Sequence, residues 1–300
     1  MDQAQEFRPP RQKGVSLNIG FLLLFGAGMS AVLLIAFNQQ NRSLFFAYLI
    51  LSVILFIPIP IILYRLLSLL RAKYVLNRDG LHLQWGLRTE DIPMAEIEWI
   101  RRPEEIGYNL PLPRFHLPGG LLGMVFVEGL GEIEYLASEK QPLLLIATAS
   151  RIFVISPAND KRFLAKFREF SEMGSIQPIH AQSSRAELLV TSLFKDRPSR
   201  IFIIAGSIMV TVLLLAATLI IPTRETVPLG FNLRGSTGEL SPSERLLLLP
   251  LLAFFAAIAD LGFGAYLYRK TGFRMASYMA FASMLILPIS FIALLVLIII

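Results

Sequence analysis

Residues 44–86 read LFFAYLILSVILFIPIPIILYRLLSLLRAKYVLNRDGLHLQWG. The stretch changes solvent partway along. From Leu44 to Tyr64 there is no charged side chain, over about the 20 residues a helix needs to cross the hydrocarbon of a bilayer. Amides in hydrocarbon must find partners within their own segment, so the run predicts a helix. Arg65, Arg71 and Lys73 follow it. Tyr74-Val75-Leu76 and Leu81-His82-Leu83-Gln84-Trp85 then flank Asn77-Arg78-Asp79-Gly80, and Asp-Gly between two such runs is a hairpin signal. A membrane span that feeds a β-rich, water-soluble block sets the architecture.

Four further runs, Leu17–Phe37, Ile201–Ile221, Leu246–Tyr268 and Met275–Ile300, have the same character. The expected fold class is an α-helical membrane protein of five spans (17–37, 44–64, 201–221, 246–268, 275–300) with an inserted β-rich domain closed by a C-terminal helix. Apolar residues make up 54% and charged residues 17% of the chain, and the imbalance is confined to these runs. The basic start (Arg8, Arg11, Lys13) before a long apolar run predicts a retained anchor rather than a cleaved signal.

The net charge of +6 is informative only once placed. Between residues 71 and 200, 17 Lys and Arg stand against 16 Asp and Glu. The surplus therefore flanks the spans, where it reports topology rather than a nucleic-acid surface. The N-terminal tail, the central block and the loop 269–274 (Arg269, Lys270, Arg274) carry the basic excess. The positive-inside rule places these in the cytoplasm of a bacterial inner membrane, with loops 38–43 and 222–245 and the C-terminus outside. With no Cys and three scattered His, no thiolate or spacing-defined metal site is expected, and no cofactor.

In the central block, Arg88–Pro93, Ile97–Ile100, Met124–Val127, Gly131–Leu136, Leu143–Thr148 and Arg151–Ile155 read as antiparallel strands. A Pro- and Gly-rich stretch over 109–123 reads as a long loop. Ser156 and Pro157 predict the start of a helix whose apolar face is Phe163, Phe167 and Phe170, with Gly174 as its stop. Residues 183–197 read as a short amphipathic helix, and Ser241-Pro242-Ser243-Glu244 as a capping box. The expected organisation is the tail and two spans over 1–70, the domain over 71–175, a linker over 176–200 and three spans over 201–300.

The run Tyr74–Gly86, followed by Ile92-Pro93-Met94-Ala95-Glu96-Ile97, resembles the opening of bacterial PH domains. Pro118–Gly123, Gly131–Tyr135 and Ile155-Ser156-Pro157 with Phe163 resemble their later half. The resemblance covers about a third of the chain and implies a PH-like barrel closed by a helix. Members of the wider fold that bind phosphoinositides gather several cations at the first hairpin. Here that hairpin holds Arg78 beside Asp79, which argues against a polyanion site. Val227–Gly235 and the paired spans after it resemble a small bacterial membrane family of unknown function, without that family's loop histidine.

No nucleophile elbow, P-loop, dinucleotide fingerprint or His-Glu-x-x-His occurs, so a non-enzymatic role is expected. Arg101, Arg102, Arg114 and His116 are candidate partner-binding residues, because long loops on a domain tend to carry recognition. Arg162, Lys166 and Arg168 on the closing helix are candidates for contact with membrane lipid. Asp260 is the only acidic residue inside a span, which makes it the candidate of a transport alternative. A membrane enzyme with a dispersed site is a further alternative. The expected partners are membrane lipid and a protein at the cytoplasmic face.

Overall fold

The computed structural model describes residues 4–39, 41–107, 110–113, 116–117, 119–175, 179–184, 192–228, 240–270 and 272–299. The chain divides into two compact units, Met1–Leu24 with Ile61–Ala186, and Phe25–Pro60 with Glu187–Ile300. Five helical segments are long and apolar enough to cross a membrane: Gln12–Asn38, Arg42–Arg71, Arg197–Thr223, Ser243–Tyr268 and Arg274–Leu297.

The first unit holds two sheets. One runs in the order β1 (Gln5–Phe7), β2 (Lys73–Leu76), β3 (Gly80–Trp85), β4 (Arg88–Pro93), β11 (Gln182–Ser184). The other runs β5 (Ile97–Arg101), β9 (Leu144–Thr148), β10 (Ile152–Ile155), β8 (Gly131–Ala137), β7 (Gly120–Val127), β6 (His116–Leu117). The strands expected from sequence are all present, and three more, β1, β6 and β11, come from segments read otherwise. The N-terminal tail supplies β1, paired with β2. Residues 182–184, at the start of the expected amphipathic helix, extend the first sheet as β11. That helix is seen only over 192–195, and Glu187, Leu188 and Leu189 lie outside the described residues. The pairing is also not wholly antiparallel, because the β9–β10 hairpin folds back so that β10 lies parallel to β8.

Between the sheets lies one core. Tyr74, Leu76, Leu81 and Leu83 come from the first sheet, and Leu136, Leu144, Ile146, Phe153 and Ile155 from the second. Helix α5 (Asp160–Met173) covers them with Phe163 and Phe170. Phe163 meets Phe7 of β1 edge to face, with ring centroids 5.0 Å apart. Ile133, Tyr135, Leu145, Ala147, Ile152 and Val154 form a second cluster on the other face of the six-stranded sheet, with Trp99, Ile106 and Leu110 packed on it. Burial on both faces explains why Leu143–Thr148 and Ile152–Ile155 are continuous apolar runs rather than alternating ones.

The buried Tyr74 hydroxyl ties the sheets together by donating to the carbonyl of Leu136 at 2.7 Å. Burial raises the pKa of this phenol well above its ordinary value. A raised folded pKa gives stability that is complete below the unfolded value of about 10 and is lost as pH climbs toward the folded one. Tyr74→Phe should lower stability by about 1–3 kcal/mol at neutral pH, since the Leu136 carbonyl loses its donor. It should also remove this tyrosine's share of the alkaline loss above about pH 10. Tryptophan fluorescence during thermal unfolding checks both, since the only tryptophans, Trp85 and Trp99, sit in this unit.

Helix α5 starts later than Ser156-Pro157 suggests. Ser156 is fully buried and its hydroxyl accepts from the Ser138 amide at 2.8 Å, so it is committed to joining β8 and β10. The cap is Asn159, whose Oδ1 accepts from the Arg162 amide. Gly174 ends the helix as expected, with φ of 71°.

In the second unit, α6 (Arg197–Ile220), α7 (Leu248–Tyr268) and α8 (Arg274–Ile299) pack together through Leu213, Ala217, Leu246, Ala253 and Leu295. Gly264 lets the Phe281 ring approach, and Gly206 lets Met284 approach. Gly26 and Gly262 face open space. The second span breaks at Ile57 into α2 (Arg42–Phe56) and α3 (Pro58–Arg71), as the Pro58–Pro60 pair predicts, whereas α8 passes Pro288 unbroken. The expected capping box is absent. The Ser241 hydroxyl accepts from Arg245, and the buried Glu244 pairs with Arg42. Strands β12 (Thr226–Pro228) and β13 (Leu240–Pro242) pair the two ends of the loop, and its centre lies outside the described residues.

Candidate functional site

Strand β7 lies at the β6 side of its sheet. Among the described residues β6 pairs only with Gly120 and Leu121, and no described strand pairs with that edge of β7 from Leu122 onward; residues 114 and 115, which precede β6, lie outside the described residues. Gly123 has φ of +138°, a conformation that side chains disfavour. Pro113 stands 3.4 Å from where its Cβ would lie. Beyond this glycine, Met124 is 53% and Phe126 73% exposed, while the alternate residues Val125 and Val127 pack into the second cluster. Opposite them on β8 stand Glu134 and Glu132. Two large apolar side chains on one open strand edge are the kind of surface that protein partners cover.

Glu134 closes the space behind Met124. It is buried and accepts two bonds from the Arg88 guanidinium of β4, at 2.7 and 2.9 Å. Arg88 also reaches Glu90 at 2.6 Å and the Ser183 hydroxyl at 2.8 Å, and Arg151 approaches Glu134 at 3.4 Å. Burial works against the charge on Arg88, but the two carboxylates outweigh it and raise its pKa. Arg88 is therefore always cationic. The β-rich domain closed by a helix is as expected, but its two sheets are not closed into one barrel. The two sheets share no strand pairing here, and β4 is joined to β8 by side-chain ion pairs instead of a backbone ladder.

The residues singled out from sequence are dispersed. Arg101 is exposed, with its guanidinium 5.5 Å from the Trp99 ring. Arg102 is held by Asp160 at 2.7 and 2.9 Å, fixing the end of β5 to the start of α5. Together with Glu104, Glu105, Gln141, Pro142 and Leu143 it lines an open cleft of about 630 Å³. The backbone of His116 lies in β6, at the opposite edge of the sheet from β5, and Arg114 lies outside the described residues. Arg101 and Arg102 thus lie at the β5 edge of the sheet, and the backbone of His116 at the edge beside β7. The long loop is shorter than expected, because 116–117 and 120–123 are strand.

On α5, Lys166 pairs with Glu169 at 2.6 Å, and Arg168 is exposed. Arg162 reaches the Gln5 amide oxygen at 2.6 Å once that amide is oriented to accept. Asp260 is half-buried and falls at helical spacing with the buried Ala253, Ala257 and Gly264 of α7. Arg78, at the first hairpin, donates to the carbonyls of Met173 and Gly174, both at 2.8 Å. It caps the C-terminus of α5. That role was not legible, because it joins positions almost a hundred residues apart.

Two sheets around one core, capped by a helix whose end is bound to the first hairpin, invite comparison with known families. Residues 72–170 match the model of the bacterial PH domain. No curated protein and no solved structure matches the chain. The PH domain accounts for β2 through α5, and the chain adds β1 and β11 to the edges of its first sheet. Arg78 is the one basic residue of the PH domain's first hairpin turn, and its guanidinium serves α5.

Proposed function

We propose that the chain is a non-enzymatic protein of the bacterial plasma membrane, with its N-terminus and PH domain in the cytoplasm, where the open edge of β7 recognises a protein partner. The single observation that carries this reading is the exposure of Met124 and Phe126 on a strand that, among the described residues, has no partner on one side beyond Leu121. The partner presents an extended segment that adds to β7 and covers both side chains. Glu128 and Glu132 are exposed at this end of the hairpin, so basic residues on the partner complement it. Lipid is the weaker candidate for this surface. Gly120 meets the membrane-derived helix α3, and Phe126 lies six residues, about 20 Å, further along the strand.

Replacing Met124 and Phe126 together by Ser tests the reading. The wild-type protein, extracted in mild detergent, should migrate on a native gel in a complex larger than itself. The double variant should migrate alone, with an unchanged unfolding midpoint, since neither side chain belongs to a buried cluster. An undiminished complex in the variant would refute the assignment.

A further inference from the structure

The two N-terminal spans run into the PH domain itself. Leu69 of α3 is fully buried in the domain core, with Val15 of α1 (Gln12–Asn38) packed on the same cluster. The Gly14 and Gly119 backbones touch, so closely that neither has room for a Cβ. The Tyr64 hydroxyl accepts from the Leu87 amide, and Ser68 fills the space at Gly86.

Three cations gather at this junction, and the anions near them, Glu139 by Lys13 and Glu6 by Arg11, leave Arg65 without a described carboxylate. Arg11 donates to the Ala72 carbonyl, its Nε is buried with no partner, and burial lowers its pKa. Lys13 is largely exposed and reaches Glu139 only at 3.7 Å. Arg65, half-buried, lies against Gly120, with Nη2 3.2 Å from where a Cβ would stand. That Nη2 is buried and has no acceptor, and among the described residues no carboxylate pairs with Arg65. A desolvated guanidinium with an unfilled donor is costly unless an anion meets it. At the end of a membrane span, the anion at hand is a lipid phosphate, which suits a guanidinium's paired donors. Ile61, one turn away on the same face of α3, is 57% exposed and offers apolar contact to the acyl chains.

We propose that Arg65, flanked by Arg11 and Lys13, binds the phosphodiester headgroup of an anionic phospholipid where the first two spans enter the PH domain. The inference requires these helices to lie in a bilayer, and it is independent of the β7 surface. Lipid at this seam would brace the domain on its spans.

The test uses the full chain in nanodiscs of phosphatidylcholine, with or without phosphatidylglycerol. The anionic lipid should raise the unfolding midpoint by about 2–4 °C. Arg65→Gln should abolish the rise and Arg168→Gln on α5 should keep it. An equal rise in Arg65→Gln, no rise in wild type, or a rise reproduced by inorganic phosphate in phosphatidylcholine discs would overturn the proposal. If Arg65→Gln fails to fold, a photoactivatable phosphatidylglycerol on the wild-type chain decides. Adducts within 11–18, 61–71 or 119–122 support the site, and adducts spread evenly over all five spans refute it.

Discussion

Glu134→Ala should destabilise the PH domain by about 3–5 kcal/mol, the usual cost of removing one partner from a buried ion pair. The substitution removes two hydrogen bonds from Arg88, whose side chain is only 12% exposed. Glu90 remains, but it approaches Arg88 from one side only. The loss is steep because β4 and β8 belong to different sheets with no backbone pairing between them, so the ion pair is their polar tie beside the shared core of Ile92 and Leu136. Tryptophan fluorescence in a denaturant series should show it without interference from the remaining spans. Combining Glu134→Ala with Arg88→Ala should cost clearly less than the sum of the two single changes, because their energies are coupled through the shared bonds. Additive losses would mean that the pair contributes little.

Gly119→Leu should cost about 2–6 kcal/mol, combining backbone strain with overpacking. Gly119 has φ of +88°, and an added Cβ would stand 2.7 Å from the Gly14 Cα and 3.0 Å from Leu69. Backbone at 2.7 Å cannot give way as a flexible side chain can. The damage would therefore extend to the seating of α1 on the domain. Gly107→Ala is the control. It has φ of +73° and nothing within 4 Å, so only the backbone strain should appear, about 1–3 kcal/mol. Thermal unfolding of both variants in the same detergent separates the two contributions. A Gly119→Leu protein no less stable than Gly107→Ala would mean that the Gly14 contact does not hold.

The spans were legible because their signal is local and strong: charge-free runs of bilayer length permit little besides a helix. The first hairpin was legible for a similar reason. Asn77 Oδ1 accepts from the amides of Asp79 and Gly80, so the turn chemistry is written in four consecutive residues. The β1 strand was hidden because three residues, Gln5–Phe7, carry no periodicity. Glu134 was hidden for a different reason. The alternation Glu132-Ile133-Glu134-Tyr135 reads as a strand with one wet face, and only the distant Arg88 makes that face dry at Glu134. Parallel pairing of β10 with β8 depends on a hairpin folding back between them, which no local pattern encodes. The candidate edge is not legible from sequence because Met124–Val127 reads only as a strand, with apolar residues at every position and no sign of which face is covered. The exposure follows from the sheet's packing, in which Val125 and Val127 turn to the second cluster and leave Met124 and Phe126 on the other face.

What touches β7 in the cell is the most direct test of a protein partner at this edge. A photo-crosslinking amino acid at position 126 of the full chain, activated in living cells, should give one discrete protein adduct. The same probe at position 168 on α5 should not give that adduct. Adducts to lipid alone, or none, from position 126 would contradict the assignment of this edge to a protein partner.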